Sequence, residues 1–325
     1  MIRNLFIILA TGIFNNVDCL AINGDITNKS VIETYGGSNV DYFESSIPTS
    51  DGGKVNVGSS ASWDAGFDYK GGTDAIIMKY NSKNELEWKS SFGGSADDYY
   101  TSVTETQDGG FVCVGYSYSW DAWYTNNGLS DAVLVKYDST GKQLWVKNYG
   151  FNNREEFNSI IELGNGDLIA VGISFSQYTS DFTGKGEADA IIGRFDQYGN
   201  KLWVKSLGSY LTDCFKSVIK TQDNGFVVAG YSNSYDLGFN NQGNYDAFII
   251  KYDSNGNQLW IKSFGSSNVE KFYSVIEARN GDLICVGETY AINSNGTDSD
   301  DRDAIMIRYT KDGSLIWKKI LVEVK

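Results

Sequence analysis

The sequence predicts an all-β protein built from five copies of one four-stranded unit. Two features recur at a shared interval of 57 or 58 residues, and such a period indicates a repeat architecture. They are the tryptophans Trp88, Trp145, Trp203, Trp260 and Trp317 and the Asp-Ala pairs that begin at Asp74, Asp131, Asp189, Asp246 and Asp303. A third observation is that no segment repeats its apolar residues with the period of a helix.

Each unit contains four segments that favour strands. In the second unit these are YTSVTET, FVCVGYS, DAVLVKY and QLWVKNYG, which are rich in β-branched and aromatic residues. QDGG separates the first two segments and DSTGK the last two, and such Gly-containing pieces are typical of tight hairpin turns. Each unit is therefore predicted to form an antiparallel meander.

A meander of this size cannot bury both of its faces alone, so the units must stack on one another. Radial stacking around an axis predicts a β-propeller with five four-stranded blades over residues 39–325. We expect two recurring residues to set the packing between blades. One is the fourth-strand tryptophan, and the other is the glycine that follows the apolar core of the second strand, Gly115 in the second unit. A solenoid is the alternative, but the regular hairpin turns favour meanders.

The segment before the repeats leaves alternatives open. Asn23–Gly37 resembles the end of a unit, so residues 22–38 are predicted to be a closing strand or the relic of an extra blade. The relic would give six blades with an incomplete N-terminal one. In residues 1–21, Arg3 precedes an apolar run, which is typical of a secretory signal peptide, although the segment could instead be a strand of the fold. A signal predicts a secreted or cell-surface protein. The run of ten apolar residues is too short to span a bilayer, and no membrane insertion of the mature chain is predicted.

Composition argues against several classes of function. A net charge of -14 argues against nucleic acid and anionic membranes as partners, because binding to phosphates needs Lys and Arg. The absence of histidine excludes Ser-His-Asp catalysis and His-ligated zinc. The four cysteines have no CxxC spacing, and Cys113 and Cys285 are predicted to be buried free thiols. No cofactor and no metal is predicted, although Asp97–Asp98 and Asp298–Asp303 could hold Ca²⁺.

The unit GGSADDYYTSV, TQDGGFVCVGYS, SDAVLVKYDSTGKQLW resembles the SBBP β-propeller repeat of bacterial surface and secreted proteins. The resemblance runs over nearly all of residues 36–320 and implies the fold, whereas it says little about function because such repeats are widely reused scaffolds. YDSTGKQLW is also similar to the tryptophan-docking motif of pyrroloquinoline quinone dehydrogenases. That second similarity implies shared blade packing only.

In a disc of meanders, the tight turns lie on one face, which should be flat and polar, and the long second-to-third-strand loops lie on the other. We call the second surface the long-loop face. Its loops concentrate aromatic and acidic residues, which are the predicted ligand-binding residues. They are Trp63, Asp64, Trp120, Asp121, Trp123, Tyr178, Asp181, Tyr235 and Asp236.

Aromatic rings beside Asp and Asn suit carbohydrate, because a ring packs on the apolar face of a sugar and the polar groups bind its hydroxyls. A protein partner is the alternative ligand, since Trp and Tyr dominate binding hot spots. The rings could instead fold back onto the blade ends, with the aspartates capping turn amides. No Asp stands apart from the repeat as an asymmetric active site requires, so the sequence predicts a binding protein rather than an enzyme such as a carboxylate-based hydrolase.

Overall fold

The computed structural model describes residues 35–122, 124–177, 179–235, 238, 241–292 and 298–321. They form twenty strands in five antiparallel sheets, each with its four strands in chain order. Sheet one contains β1 (Asp41–Pro48), β2 (Lys54–Ser60), β3 (Asp74–Tyr80) and β4 (Leu86–Phe92). Sheet two contains β5 (Asp98–Glu105), β6 (Phe111–Ser117), β7 (Asp131–Tyr137) and β8 (Gln143–Tyr149). Sheet three contains β9 (Glu155–Glu162), β10 (Leu168–Ser174), β11 (Asp189–Phe195) and β12 (Lys201–Leu207). Sheet four contains β13 (Asp213–Lys220), β14 (Phe226–Ser232), β15 (Asp246–Tyr252) and β16 (Gln258–Phe264). Sheet five contains β17 (Glu270–Glu277), β18 (Leu283–Ile292), β19 (Asp298–Tyr309) and β20 (Leu315–Leu321).

This architecture confirms the predicted all-β fold of five four-stranded blades. Residues 1–34 lie outside the described residues, and so do the predicted signal peptide and most of the Asn23–Gly37 segment. No helix among the described residues is both long and apolar enough to cross a membrane.

The hydrophobic core lies between consecutive sheets. Val112 and Leu134 of sheet two, for example, pack with Phe157 and Ile191 of sheet three in one buried cluster. Equivalent clusters join sheets one and two, three and four, and four and five. The second and third strands therefore bury both faces, which explains their nearly continuous apolar sequences.

The fourth-strand tryptophans of sheets one to four each pack on the next sheet, as predicted. Trp88 Nε1 donates a hydrogen bond to the Ser139 carbonyl at 3.0 Å, in the turn between β7 and β8. Gly141 in that turn has a φ of +85°, and a Cβ there would lie 2.6 Å from the Trp88 ring. Gly199, Gly256 and Gly313 meet the next three tryptophans in the same way. Four such contacts therefore link the five sheets.

The role predicted for the second-strand glycine is wrong. A Cβ on Gly115 would collide with the carbonyl oxygen of Tyr99, in the first strand of its own sheet. The register of β5 and β6 shifts between Tyr100 and Ser102, next to this contact. The glycine thus accommodates an irregularity within a sheet and does not pack sheet against sheet.

Sheet one differs from the others on the side that would face a preceding sheet. Ser46, Lys54 and Asn56 stand where sheet two has Val103, Phe111 and Cys113. Asn84, with a φ of +66°, takes the place of the turn glycine that receives a tryptophan in the other sheets. Among the described residues, sheets one and five share no apolar cluster like the other four.

Candidate functional site

The long-loop face is held together where one sheet meets the next. Glu155 N, at the start of β9, donates a hydrogen bond to the Ser130 carbonyl at the end of the preceding long loop. The same backbone contact joins Asp213 to Ala188 and Glu270 to Tyr245. The long loops and the crossovers between sheets therefore lie side by side on one face, as the meander predicts.

Three of the predicted aromatic residues project into solvent. Trp63, Trp120 and Tyr235 are 68%, 66% and 67% exposed and occupy the same place in repeats one, two and four. Trp123, Tyr178 and Asp236 lie outside the described residues. The rings of Trp63, Trp120 and Tyr235 are thus available to a ligand and do not fold back onto the blade ends.

A buried serine precedes each exposed ring and fixes the start of the loop. Ser119 Oγ donates a hydrogen bond to Asp98 at 2.7 Å, and Ser234 Oγ donates to Asp213 at 2.8 Å. Ser62 makes the same bond to Asp41 at 2.9 Å. Because adjacent residues point in different directions in an extended segment, anchoring the serine inward helps to turn the next side chain outward.

Two of the predicted aspartates, Asp64 and Asp121, lie in the long loops and make structural hydrogen bonds. Asp64 accepts a hydrogen bond from Ser38 N at 2.8 Å, and Asp121 accepts one from Ser95 N at 2.9 Å. These backbone bonds are the main cause that lowers the pKa of both carboxyls. Both carboxylates therefore cap the crossover that precedes the first strand of their own sheet.

Asp181 has different surroundings. Its carboxylate pairs with Lys201 at 2.7 Å and accepts a hydrogen bond from the Tyr149 hydroxyl at 2.8 Å. The structure therefore does not give it the contacts of Asp64 and Asp121. A ligand-binding role for Asp181, as for the other predicted residues, stays a prediction.

Tyr210 is an aromatic residue of this face that the sequence analysis missed. It is 80% exposed and lies in the crossover between β12 and β13. Leu129, in the second long loop, is 61% exposed. The crossovers between sheets reach the same face as the long loops. An aromatic residue in an otherwise small and polar crossover is the sequence pattern that could have identified Tyr210.

A second group that was missed lines the first strands at their long-loop ends. The second residue of each first strand varies from sheet to sheet, unlike its neighbours: it is Tyr42, Tyr99, Glu156, Cys214 and Lys271 in turn. This departure from the repeat is the signal that could have identified it, because a position with a purely structural role would repeat.

In sheets two and five, the second residue of the first strand lies against aromatic rings. Tyr99 stacks on Tyr116 with ring centroids 4.9 Å apart. Lys271 Nζ lies 4.6 Å from the ring centroid of Tyr231 and 4.5 Å from that of Tyr245. Burial lowers the pKa of Lys271, because desolvation disfavours its charged form. The first-strand position thus adds tyrosines in sheet two, and tyrosines with a charge between sheets four and five, at the long-loop ends of the strands.

The carboxylates with the most strongly raised pKa values are not at the first-strand position but begin the third strands of sheets one, three and four. Burial raises the pKa of Asp74, Asp189 and Asp246 to about 6. Each accepts a backbone hydrogen bond within its own long loop, from Lys70, Lys185 and Gln242 respectively. They are at most 2% exposed and repeat from sheet to sheet, so their pKa values do not single out one catalytic cleft.

The opposite, tight-turn face is not flat, contrary to the prediction. It carries an open cavity of about 630 Å³ whose lining includes Ser50, Glu105, Gln107, Glu162 and Lys220. Ser50 N donates to Glu105 at 2.8 Å and Gln107 N donates to Glu162 at 2.9 Å, so each glutamate ties its sheet to the preceding one. The polar character of this face is as predicted.

Of the two acidic runs that could hold Ca²⁺, the side chains of residues 298–301 lie outside the described residues. Asp97 accepts a hydrogen bond from Thr73 N at 2.9 Å and so caps a long loop. Within the described part of the chain, no group of three or more Cys, Asp or Glu residues is placed to hold a metal ion. Cys113 and Cys285 are buried and free, as predicted.

Comparison with known proteins gives distant similarities. No family model matches the chain, so the resemblance to SBBP repeats stays a prediction. A regulatory protein, FlaEY, of Caulobacter vibrioides is 23% identical over 175 residues, which make up 49% of this chain and 18% of that protein. The chain therefore matches about a fifth of the length of this curated relative.

Two solved structures illustrate the likeness in architecture. A xylan β-1,4-xylosidase from Bacillus halodurans is 11% identical, with a TM-score of 0.41, over 86% of this chain and 55% of the xylosidase. An ulvan lyase is 10% identical, with a TM-score of 0.44, over 83% of this chain and 68% of the lyase. The chain thus covers about half of the xylosidase, and at these identities the likeness concerns the fold alone.

The prediction that this protein is not an enzyme is wrong as an exclusion. The solved structures similar to it in fold include a glycosidase and a polysaccharide lyase. The prediction rested on the lack of asymmetry among the loop aspartates alone. The first-strand position that holds Glu156, Cys214 and Lys271 is also asymmetric.

Proposed function

We propose that this protein binds carbohydrate on its long-loop face, in the extracellular space or at the cell surface. The observation that carries the proposal is the exposure of Trp63, Trp120 and Tyr235, at 66–68%, at one repeated position. Covering exposed rings of this size removes apolar surface from water, and a pyranose ring offers a flat apolar face of matching size.

The surroundings of the rings add polar groups for sugar hydroxyls. Asp64 and Asp121 follow Trp63 and Trp120 directly and are exposed. A carboxylate that already accepts one backbone hydrogen bond retains lone pairs for hydroxyl donors. Each of these loops therefore combines a stacking surface with acceptors, which are the two elements of sugar recognition.

Repetition of the site favours a polymeric or clustered ligand. Weak sites on one rigid scaffold bind a repeating ligand more tightly than any single site does, because the second contact is intramolecular. We therefore expect the protein to prefer polysaccharides or dense surface glycans to free monosaccharides.

The experiment is a glycan array followed by titration of the best saccharide into Trp63→Ala, Trp120→Ala and Tyr235→Ala. Each variant should lose part of the affinity, on the order of tenfold, and keep its melting temperature because the ring is exposed. Leu86→Ala is the matched control, since Leu86 begins β4 beside a tight turn and is 42% exposed. Reducing ends should be assayed in the same incubations to detect cleavage.

Two results would overturn the proposal. An array without saturable binding, with and without Ca²⁺, would favour the alternative, a protein-binding scaffold. Pull-down with the wild type and the triple aromatic variant would then test that alternative. Unfolding of all three variants would show that the rings belong to the core.

A further inference from the structure

The repeat provides an internal comparison for Lys271. Glu156 occupies the same position two sheets earlier, and Arg154 neutralises it at 2.7 Å. Val269 stands in sheet five where Arg154 stands in sheet three. Lys271 therefore lacks the counter-charge that its equivalent has within its own segment.

Glu288 acts electrostatically on Lys271, but no neighbouring carboxylate of the described residues pairs with it directly. Glu288 lies opposite Lys271 across β17 and β18, but its carboxylate accepts a hydrogen bond from Tyr273 at 2.6 Å and pairs with Arg302 at 3.6 Å. Among the described residues, no carboxylate lies within ion-pair distance of Lys271. The half-buried ammonium instead contacts the faces of Tyr231 and Tyr245.

We propose that Lys271, Tyr231 and Tyr245 form a subsite for the anionic group of an acidic saccharide. The inference rests on the proposed carbohydrate binding and names its ligand class. Arg302 and Lys216 act electrostatically on Lys271, as does the single carboxylate of Glu288, so three cations lie near one anion here in a chain of net charge -14. A carboxylate or sulfate ester would supply the missing charge, and the two tyrosines present ring surface for the sugar.

The position of the subsite connects it to the exposed rings. Tyr231 is the next-to-last residue of β14, four residues before Tyr235, and Lys271 is the second residue of β17. Both segments reach the long-loop face where sheets four and five meet. We therefore place the acidic sugar at Lys271, on the same face as the exposed ring of Tyr235.

The experiment titrates three oligosaccharides of equal length into the full chain: one with uronate residues, the same chain with its carboxyls reduced to alcohols, and a neutral chain with sulfate esters. The wild type should prefer one or both of the acidic saccharides at least tenfold. Lys271→Met should abolish the preference and leave the neutral saccharide unaffected. Lys271→Arg should retain it, and Glu288→Gln should increase it because a competing negative charge is removed.

Lys142→Met is the matched control, since Lys142 is exposed in a tight turn on the opposite face. Equal binding of acidic and neutral saccharides by the wild type, or an unchanged preference in Lys271→Met, overturns the inference while the proposed function stands. If no oligosaccharide binds, free glucuronate and sulfate are titrated while the Lys271 side chain is followed by NMR. An unperturbed signal then overturns the subsite, and a shift that saturates supports it.

Discussion

At the scale of single residues, buried carboxylates organise the long-loop end of each sheet. Asp98 accepts hydrogen bonds from Gly94 N at 2.9 Å and from Ser119 Oγ at 2.7 Å, and it is fully buried. It thereby fixes both the crossover before its strand and the loop that carries Trp120. A carboxylate with this role is structural, although it stands beside the exposed ring in space.

Burial of these carboxyls predicts an unusual dependence of stability on pH. Asp74, Asp189 and Asp246 have pKa values of about 6 in the folded protein, against an ordinary value of 3.8. Between about pH 4 and 6 the folded protein keeps protons that the unfolded chain releases. The free energy of unfolding should therefore fall as the pH rises through this window.

Carboxyls with lowered pKa values affect the free energy of unfolding in a separate, lower pH range. Asp108 and Asp223 have pKa values of about 2, each lowered by an ion pair with a buried lysine, so their contribution is lost only below about pH 4. Denaturant unfolding at pH 4.5, 5.5 and 6.5 measures the effect. Asp246→Asn should reduce the fall by about 1 kcal/mol, and the exposed Asp253→Asn should leave it unchanged. A flat or rising profile in the wild type contradicts this assignment.

At the scale of the element, the turn between the third and fourth strands is the unit that joins one sheet to the next. Gly256 lies under Trp203 with a φ of +81°, and a Cβ there would lie 2.6 Å from the ring. Gly109, in a turn between first and second strands, has a similar φ of +76° with nothing within 4 Å of a Cβ. The two glycines share a backbone conformation, but only Gly256 lies against a tryptophan ring.

This difference gives a matched pair of variants. Gly109→Ala should cost about 1 kcal/mol, since only the left-handed backbone conformation is penalised. Gly256→Ala should cost about 1–3 kcal/mol more, because the methyl group also displaces Trp203 from the turn. Chemical denaturation measures both values, and Trp fluorescence should change in the Gly256 variant alone. Equal costs would show that the tryptophan adjusts freely.

At the scale of the whole molecule, the sheets are not equivalent. Ile169, Val171, Ala190 and Ile192 of sheet three are at most 2% exposed. The corresponding residues of sheet five, Ile284, Val286, Ala304 and Met306, are only partly buried. Apolar packing on two faces therefore stabilises the inner sheets more than the fifth.

Hydrogen exchange followed by mass spectrometry tests this gradient. Amides of β18 and β19 should exchange before those of β10 and β11, because local opening follows the packing that each strand loses. The strands have the same hydrogen-bonded neighbours in the sheet, so the comparison isolates packing between sheets. Uniform protection in all five sheets would mean that the molecule opens as a single cooperative unit.

The sequence by itself determined the period, the four strands of each unit and the face that carries the long loops. These features are local: turn residues, β-branched segments and the spacing of Trp and Asp-Ala pairs act within one repeat of about 57 residues. The sequence also pointed to Trp63, Trp120 and Tyr235 as exposed rings, because they are aromatic residues in polar loops and belong to no strand segment.

Only the tertiary structure decided which side chains meet. Asp64 and Asp121 cap turns 26 residues before them, and that contact depends on how the loop packs against the crossover. The Lys271 cluster joins Tyr231 and Tyr245 of one sheet to Lys271 of the next. Its residues lie on different sheets, so their proximity follows from the packing of one sheet on another, which no pattern within a single repeat encodes.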